Sequence, residues 1–141
     1  MNEAQIQLVQ TSFSKVRPIA VTAAELFYKR LFTLDPALRP MFKGDMAHQG
    51  RMLMSMLSAA VNGLTNLAGL VPVVRQLGAR HANYGVRDEH YATVGSALLW
   101  TLEQGLGDAF TLDVRKAWAA AYGVLASTMQ AGATESQTVV N

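Results

Sequence analysis

His81 stands in the run Leu77-Gly78-Ala79-Arg80-His81-Ala82-Asn83-Tyr84-Gly85-Val86, and Tyr91 follows ten residues later within His90-Tyr91-Ala92-Thr93-Val94-Gly95. A neutral imidazole can ligate a metal through one ring nitrogen while the other donates to a carbonyl or side-chain acceptor that fixes the ring. The ordinary alternative is a helix-terminal histidine, steadied by the helix dipole when charged. Upstream, Tyr28, Phe42, Gln49 and Leu53 fall at spacings that could build the opposite wall of a flat pocket. Gln49 and Leu53 lie one helical turn apart, so both can face one side. Tyr28 offers a phenolic donor; its ordinary reading is a core tyrosine bonded to a backbone carbonyl. Gln49 could equally be a solvated amide, and Phe42 a plug that buries the same area without touching a ligand.

These residues need helices to hold them. Ile6, Val9, Phe13 and Val16 recur at three- and four-residue steps, the mark of an amphipathic helix. Pro18 interrupts that helix or opens the next, which carries Ala23, Leu26, Phe27, Tyr28, Arg30 and Leu31. Asp35-Pro36 reads as an N-cap followed by proline, starting a short helix that ends near Pro40. Lys43-Gly44-Asp45 marks a loop, beyond which Leu53, Leu57, Ala60 and Leu64 form an apolar stripe. Gly63, Asn66 and Gly69 loosen the next segment before Pro72 restarts a helix carrying His81, which Gly85 closes. Tyr91, Val94, Leu98 and Leu102 define another helix, ended by Gly105-Leu106-Gly107-Asp108. Val114, Trp118, Ala121, Leu125 and Met129 define the last. No segment alternates with period two long enough for a sheet, and Pro72 demotes the best rival, Val71-Pro72-Val73-Val74. The expected class is all-α.

Bulk composition narrows the function. At 141 residues, the chain reads as one domain, with 131–141 as a small, polar, flexible tail. A net charge of +2 with no Lys/Arg-rich block argues against nucleic acid. The absence of cysteine excludes disulfides, thiolate nucleophiles and cysteine-held clusters. The first residues lack the basic-then-apolar order of a signal peptide, and no apolar run reaches the roughly 18–20 residues of a membrane span. A cytoplasmic protein with no membrane partner is expected.

From Tyr28 to about Met129 the chain resembles the haem domain of bacterial flavohaemoglobins and their single-domain relatives, and it is similar to neuroglobin-like bacterial globins. The stretches that carry this are Leu26-Phe27-Tyr28-Lys29-Arg30-Leu31-Phe32, Pro36 through Phe42, Gly78 through Val86, His90 through Gly95, and Ala117-Trp118-Ala119-Ala120-Ala121-Tyr122-Gly123-Val124. The resemblance implies a globin fold of about seven to eight helices enclosing one haem b (iron protoporphyrin IX). It makes His81 the proximal iron ligand, Phe42 the aromatic wedge, Tyr28 and Gln49 the distal donors and Leu53 the apolar ceiling. Val86 and Tyr91 would complete the cofactor contacts, Tyr91 from behind His81. The ungapped register from Phe42 favours Gln49, while a one-residue slip would set His48 over the iron as a second axial ligand. Arg51, Arg80 and His90 are candidate partners for the haem propionates or, singly, parts of a solvated face. Met52, Met54 and Met56 read as adaptable packing rather than axial ligands. The flavohaemoglobin pattern places a glutamate on the last helix, where it makes the proximal imidazole more anionic. The matching position here is Ala133, with Glu135 two residues beyond.

The resemblance therefore implies reversible binding of O2, and of NO and CO, at an iron held by His81. Oxidation of NO to nitrate would further require an external reductase, because the sequence holds no flavin or nicotinamide domain, and Ala133 leaves strong O–O chemistry in doubt. A haem-based gas sensor acting through a partner protein is the alternative. A third reading is a haem-free helical interaction domain, since fold does not fix function; His81 and Tyr28 argue against it.

Overall fold

The computed structural model describes residues 1–42, 44–83 and 85–140, with the side chains of 83 and 135–140 left aside. Lys43, Tyr84 and the Glu135 side chain thus lie outside the described residues. Six α-helices follow one another: α1 (Glu3–Val16), α2 (Ala20–Leu34), α3 (Met46–Gly63), α4 (Leu67–Asn83), α5 (Asp88–Leu106) and α6 (Leu112–Val140). Short 3-10 turns at Arg17–Ile19, Pro36–Met41 and Gly107–Ala109 make the corners. The described residues contain no strand.

Local chemistry explains most boundaries. Asp35 accepts from the Ala37 amide at 3.2 Å, and Asp45 accepts from the Ala47 amide at 2.9 Å, each satisfying a donor that the first helical turn leaves orphaned. Asn2 and Gln5 bond reciprocally at the start of α1, a capping box that apolar periodicity does not reveal. At the end of α4 the Val86 amide donates to the His81 carbonyl at 3.0 Å, and Gly85 adopts φ +91°. That left-handed turn is open to glycine and strained for other residues.

The helix count is lower than the seven or eight expected. Pro72 lies inside α4 rather than at its start, because the helix is already running from Leu67. Asn66 opens it, its carbonyl accepting from the Leu70 amide at 3.1 Å. Proline removes one hydrogen bond there, and the apolar face of α4 supplies the compensating burial. α6 in turn continues through the stretch read as a tail, and Gly132 within it is buried.

Helices α1, α2, α5 and α6 supply most of the core, with Val9, Phe13 and Leu31 its largest fully buried side chains. The indole N–H of Trp118 donates to the Ser12 hydroxyl at 2.8 Å, and that hydroxyl donates to the Leu8 carbonyl at 2.7 Å. Two buried polar groups are thereby satisfied inside an apolar core. α4 packs mainly on α6, and α2 lies between α5 and α3. At two glycines α4 and α6 meet backbone to backbone. A β-carbon added at Gly78 would stand 2.6 Å from the Met129 Cα, and one added at Gly132 would stand 2.8 Å from the Arg75 Cα. The pairs answer each other, 75 opposite 132 and 78 opposite 129. His81 follows Gly78 by three residues, so the height of α4 over α6 sets the height of His81.

Candidate functional site

The His81 ring is partly buried near the end of α4, and its Nδ1 lies 2.8 Å from the Leu77 carbonyl oxygen. A carbonyl can only accept, so Nδ1 carries the proton and donates. In the neutral ring Nε2 then holds the lone pair, the form in which a histidine ligates a metal. Leu77 was not singled out from sequence, although a carbonyl four residues upstream in the same helix is a findable signal.

Tyr28 on α2 is buried, 9% exposed, within an aromatic group. It meets Phe27 and Phe42 edge-on at 5.1 and 5.3 Å between centroids, and Phe32 in a stacked arrangement at 6.0 Å. Phe32 is the member that sequence reading passed over, although it lies one helical turn beyond Tyr28. The Tyr28 hydroxyl donates to the Gln49 backbone carbonyl at 3.4 Å. Good O–H···O bonds are about 2.7–2.8 Å, so this donor is held weakly and can turn to a better acceptor. Burial pushes the Tyr28 phenol up to about 12, which keeps its proton in place.

On α3, Gln49 is partly buried and His48 is exposed. Leu53 is partly buried and packs against the core. Met54 packs likewise, but Met52 and Met56 are 46% and 37% exposed, so the expected packing role of the three methionines holds for Met54 alone. A helix turns each residue by about 100°, and one core-facing stripe cannot hold all three.

Tyr91 is buried on α5, and its backbone carbonyl accepts from the Tyr122 hydroxyl at 2.6 Å. Gly95, one turn later, makes room for the Tyr122 ring; a β-carbon there would meet its Cε2 at 2.8 Å. Burial raises the Tyr122 phenol above its ordinary value, as does the neighbouring Tyr91. Val86 is partly buried, whereas Arg80 and Arg51 are exposed. His90 Nδ1 accepts from the Arg87 amide at 2.9 Å and caps α5, so one of its ring nitrogens is already committed. Ala133 sits on α6 beside the buried Gly132, and a methyl there has nothing to offer the imidazole. No cluster of His, Asp and Glu that could hold a bare metal ion occurs among the described residues. Among the described residues, the candidate metal-ligating group is the His81 imidazole on α4, while the buried Tyr28 phenol and its aromatic neighbours lie around α2.

The family model for globins matches residues 25–129. The chain belongs to the globin family. This globin is 32% identical over 129 residues to a flavohemoprotein of Bacillus subtilis, covering 89% of this chain and 32% of that protein. It is also 32% identical over 131 residues to a flavohemoprotein of Vibrio cholerae, covering 89% of this chain and 33% of that protein. The globin thus spans about a third of the length of these relatives. Among solved structures, it superposes with a TM-score of 0.87 and 28% identity on an engineered carbene transferase derived from a Rhodothermus marinus protein assigned as a nitric oxide dioxygenase, covering 99% of this chain and 98% of that one. A bacterial globin from Campylobacter jejuni superposes with a TM-score of 0.83 and 27% identity, covering 95% and 97% of the two chains. The all-α globin fold expected from the sequence is therefore the fold found.

Proposed function

We propose that this globin holds haem b on His81 and uses it to bind O2 reversibly, with NO and CO as further diatomic ligands. The observation that carries the reading is the His81 ring: Nδ1 is fixed by the Leu77 carbonyl, which in the neutral ring turns the lone pair to Nε2 for ligation. When bound, haem held by His81 would supply a ferrous iron able to take a diatomic ligand. Phe42, Leu53, Val86 and Tyr91 would supply its apolar contacts, and Arg80 a cation for its carboxylate edge. Tyr28 would donate its hydroxyl to the outer oxygen of the ligand, with the Gln49 side chain as second donor. The exposure of His48 supports Gln49 in that place. The bond to a neutral carbonyl leaves the imidazole less anionic than a carboxylate partner would, which favours gas binding over O–O cleavage. NO oxidation would draw electrons from an external reductase, a reading that the flavohemoprotein relatives support. No helix among the described residues is long and apolar enough to cross a membrane. A place in the reducing cytoplasm completes the proposal, and a chain without cysteine is compatible with it.

The purified protein should show an intense Soret band, and its five-coordinate ferrous form should bind O2 and CO. Failure to take up haem on reconstitution would remove the proposal. Tyr28→Phe should speed O2 release about tenfold or more, the worth of one hydrogen bond to a partly charged acceptor. In the unaltered protein, O2 release should stay flat from pH 6 to pH 10, since the Tyr28 phenol ionises only near 12. A step in the release rate centred near pH 10 would show an ordinary, solvated phenol instead.

A further inference from the structure

Two exposed methionines on α3, Met52 and Met56, are left without a packing role. They lie four residues apart, and His48 lies four residues before Met52. All three belong to α3, where residues one turn apart have β-carbons about 5–6 Å from each other. Each four-residue step turns the helix by only about 40°, so the three side chains share one narrow face. The other faces are taken. Ala47, Gly50, Arg51 and Met54 line the cleft toward α2, and Leu53 and Leu57 pack against the core. His48, Met52 and Met56 are exposed together on the third face.

His48 is also the uncommitted imidazole. Of the chain's three histidines, His81 bonds through Nδ1 to the Leu77 carbonyl, and His90 accepts from the Arg87 amide. His48 has no hydrogen-bond or ion-pair partner among the described residues, so both its ring nitrogens are open to a ligand. Softness then selects the ion. Thioether sulfur is a soft donor that favours Cu(I), and imidazole suits copper as well. Hard cations such as Mg2+ and Ca2+ take oxygen ligands instead. This donor set also differs from the His, Asp and Glu clusters that hold harder metals, none of which occurs among the described residues. Unlike a thiol, a thioether has no proton to lose before it binds. Three rotatable bonds let both thioethers swing toward an ion near Met52, which His48 reaches from one turn away.

We infer that His48, Met52 and Met56 form a surface site for a single Cu(I) ion, held by one imidazole nitrogen and two thioether sulfurs. The site uses none of the residues proposed above to hold haem, so it stands independently of that reading.

Two measurements on the purified protein test this. Ag(I) has the charge and softness of Cu(I) without its redox chemistry. Titrated into protein carrying methyl-labelled methionine, Ag(I) should bind as one equivalent and move the Met52 and Met56 methyl signals, leaving Met54 and Met129 in place. Cu(I) affinity is read under anaerobic conditions by competition with a bathocuproine chelator. It should fall about tenfold or more in each of His48→Ala, Met52→Leu and Met56→Leu, since even outer partners of a metal site are worth that much. These substitutions are exposed and keep good helix formers, so the fold should be unaffected. Met54→Leu, which packs against the core, should leave the affinity unchanged. Shifts at Met54 or Met129 with Met52 and Met56 unmoved would overturn the site. So would failure to retain Cu(I) against the chelator, or an unaltered affinity when Met52→Leu and Met56→Leu are combined. The Soret band is a separate readout, and its absence would remove the haem reading while leaving this site standing.

Discussion

Gly78→Ala should destabilise the protein by about 2–3 kcal/mol and loosen its hold on haem, although alanine is the better helix former. Two effects oppose each other. Alanine in a helix interior gains about 1 kcal/mol over glycine. Against that, the new methyl would sit 2.6 Å from the Met129 Cα, with the Met129 carbonyl closer still. A side chain could rotate away, but a carbonyl inside a continuous helix cannot. The two helices would have to separate by roughly 1 Å, and the attractive contacts along the whole interface weaken with that gap. The clash therefore wins. Because α4 carries His81 one turn further on, the shift reaches the ligand. Urea unfolding should show a lower midpoint with an unchanged slope. Gly123→Ala on α6 is the control, since a β-carbon there meets nothing within 4 Å. It should stabilise by about 0.5–1 kcal/mol. Equal stability of the Gly78→Ala and unaltered proteins would show that the α4–α6 contact yields more easily than backbone packing allows.

Loss of the His81 ring should be more selective. In His81→Ala the fold is kept, because the ring is only partly buried and its bond to the Leu77 carbonyl lies within its own helix. Haem retention should fall by more than about 100-fold, since even outer partners of metal-binding histidines are worth about 10–100-fold. The measurement is the rate of haem transfer to an acceptor globin. His81→Gly leaves a gap of imidazole shape, and added imidazole should restore both the Soret band and retention. Unchanged retention in His81→Ala would move the axial role to another residue, with His48 the first to test.

Local features of this protein were readable because they depend on near neighbours in the chain. Asp35-Pro36, Gly85 and the apolar stripes of α1, α3, α5 and α6 need only the geometry of one helix to be recognised. The capping box at Asn2 and Gln5 is equally local, but it is built from polar residues, which periodicity ignores. Pro72 was misplaced because its local penalty was weighed without the burial that α4 gains on α6. The Gly78–Met129 and Gly132–Arg75 contacts depend on which helices meet and at what height, and nothing in either segment announces that. The candidate site divides the same way. His81, Tyr28 and Phe42 stand out by residue type and register. The Leu77 acceptor, four residues before His81 in one helix, was within reach of a local reading, whereas the His90 cap emerges only with coordinates.

The Trp118–Ser12 bond joins residues 106 positions apart, and it lies where α1 packs on α6. At about 5–20 residues per second, the ribosome needs roughly 5–20 s to travel that distance. Throughout this interval Val9, Phe13 and Val16 have been synthesised without the helix that covers them. The nascent chain therefore carries an unsealed apolar stripe from its first helix onward, and the core closes only when the last helix emerges.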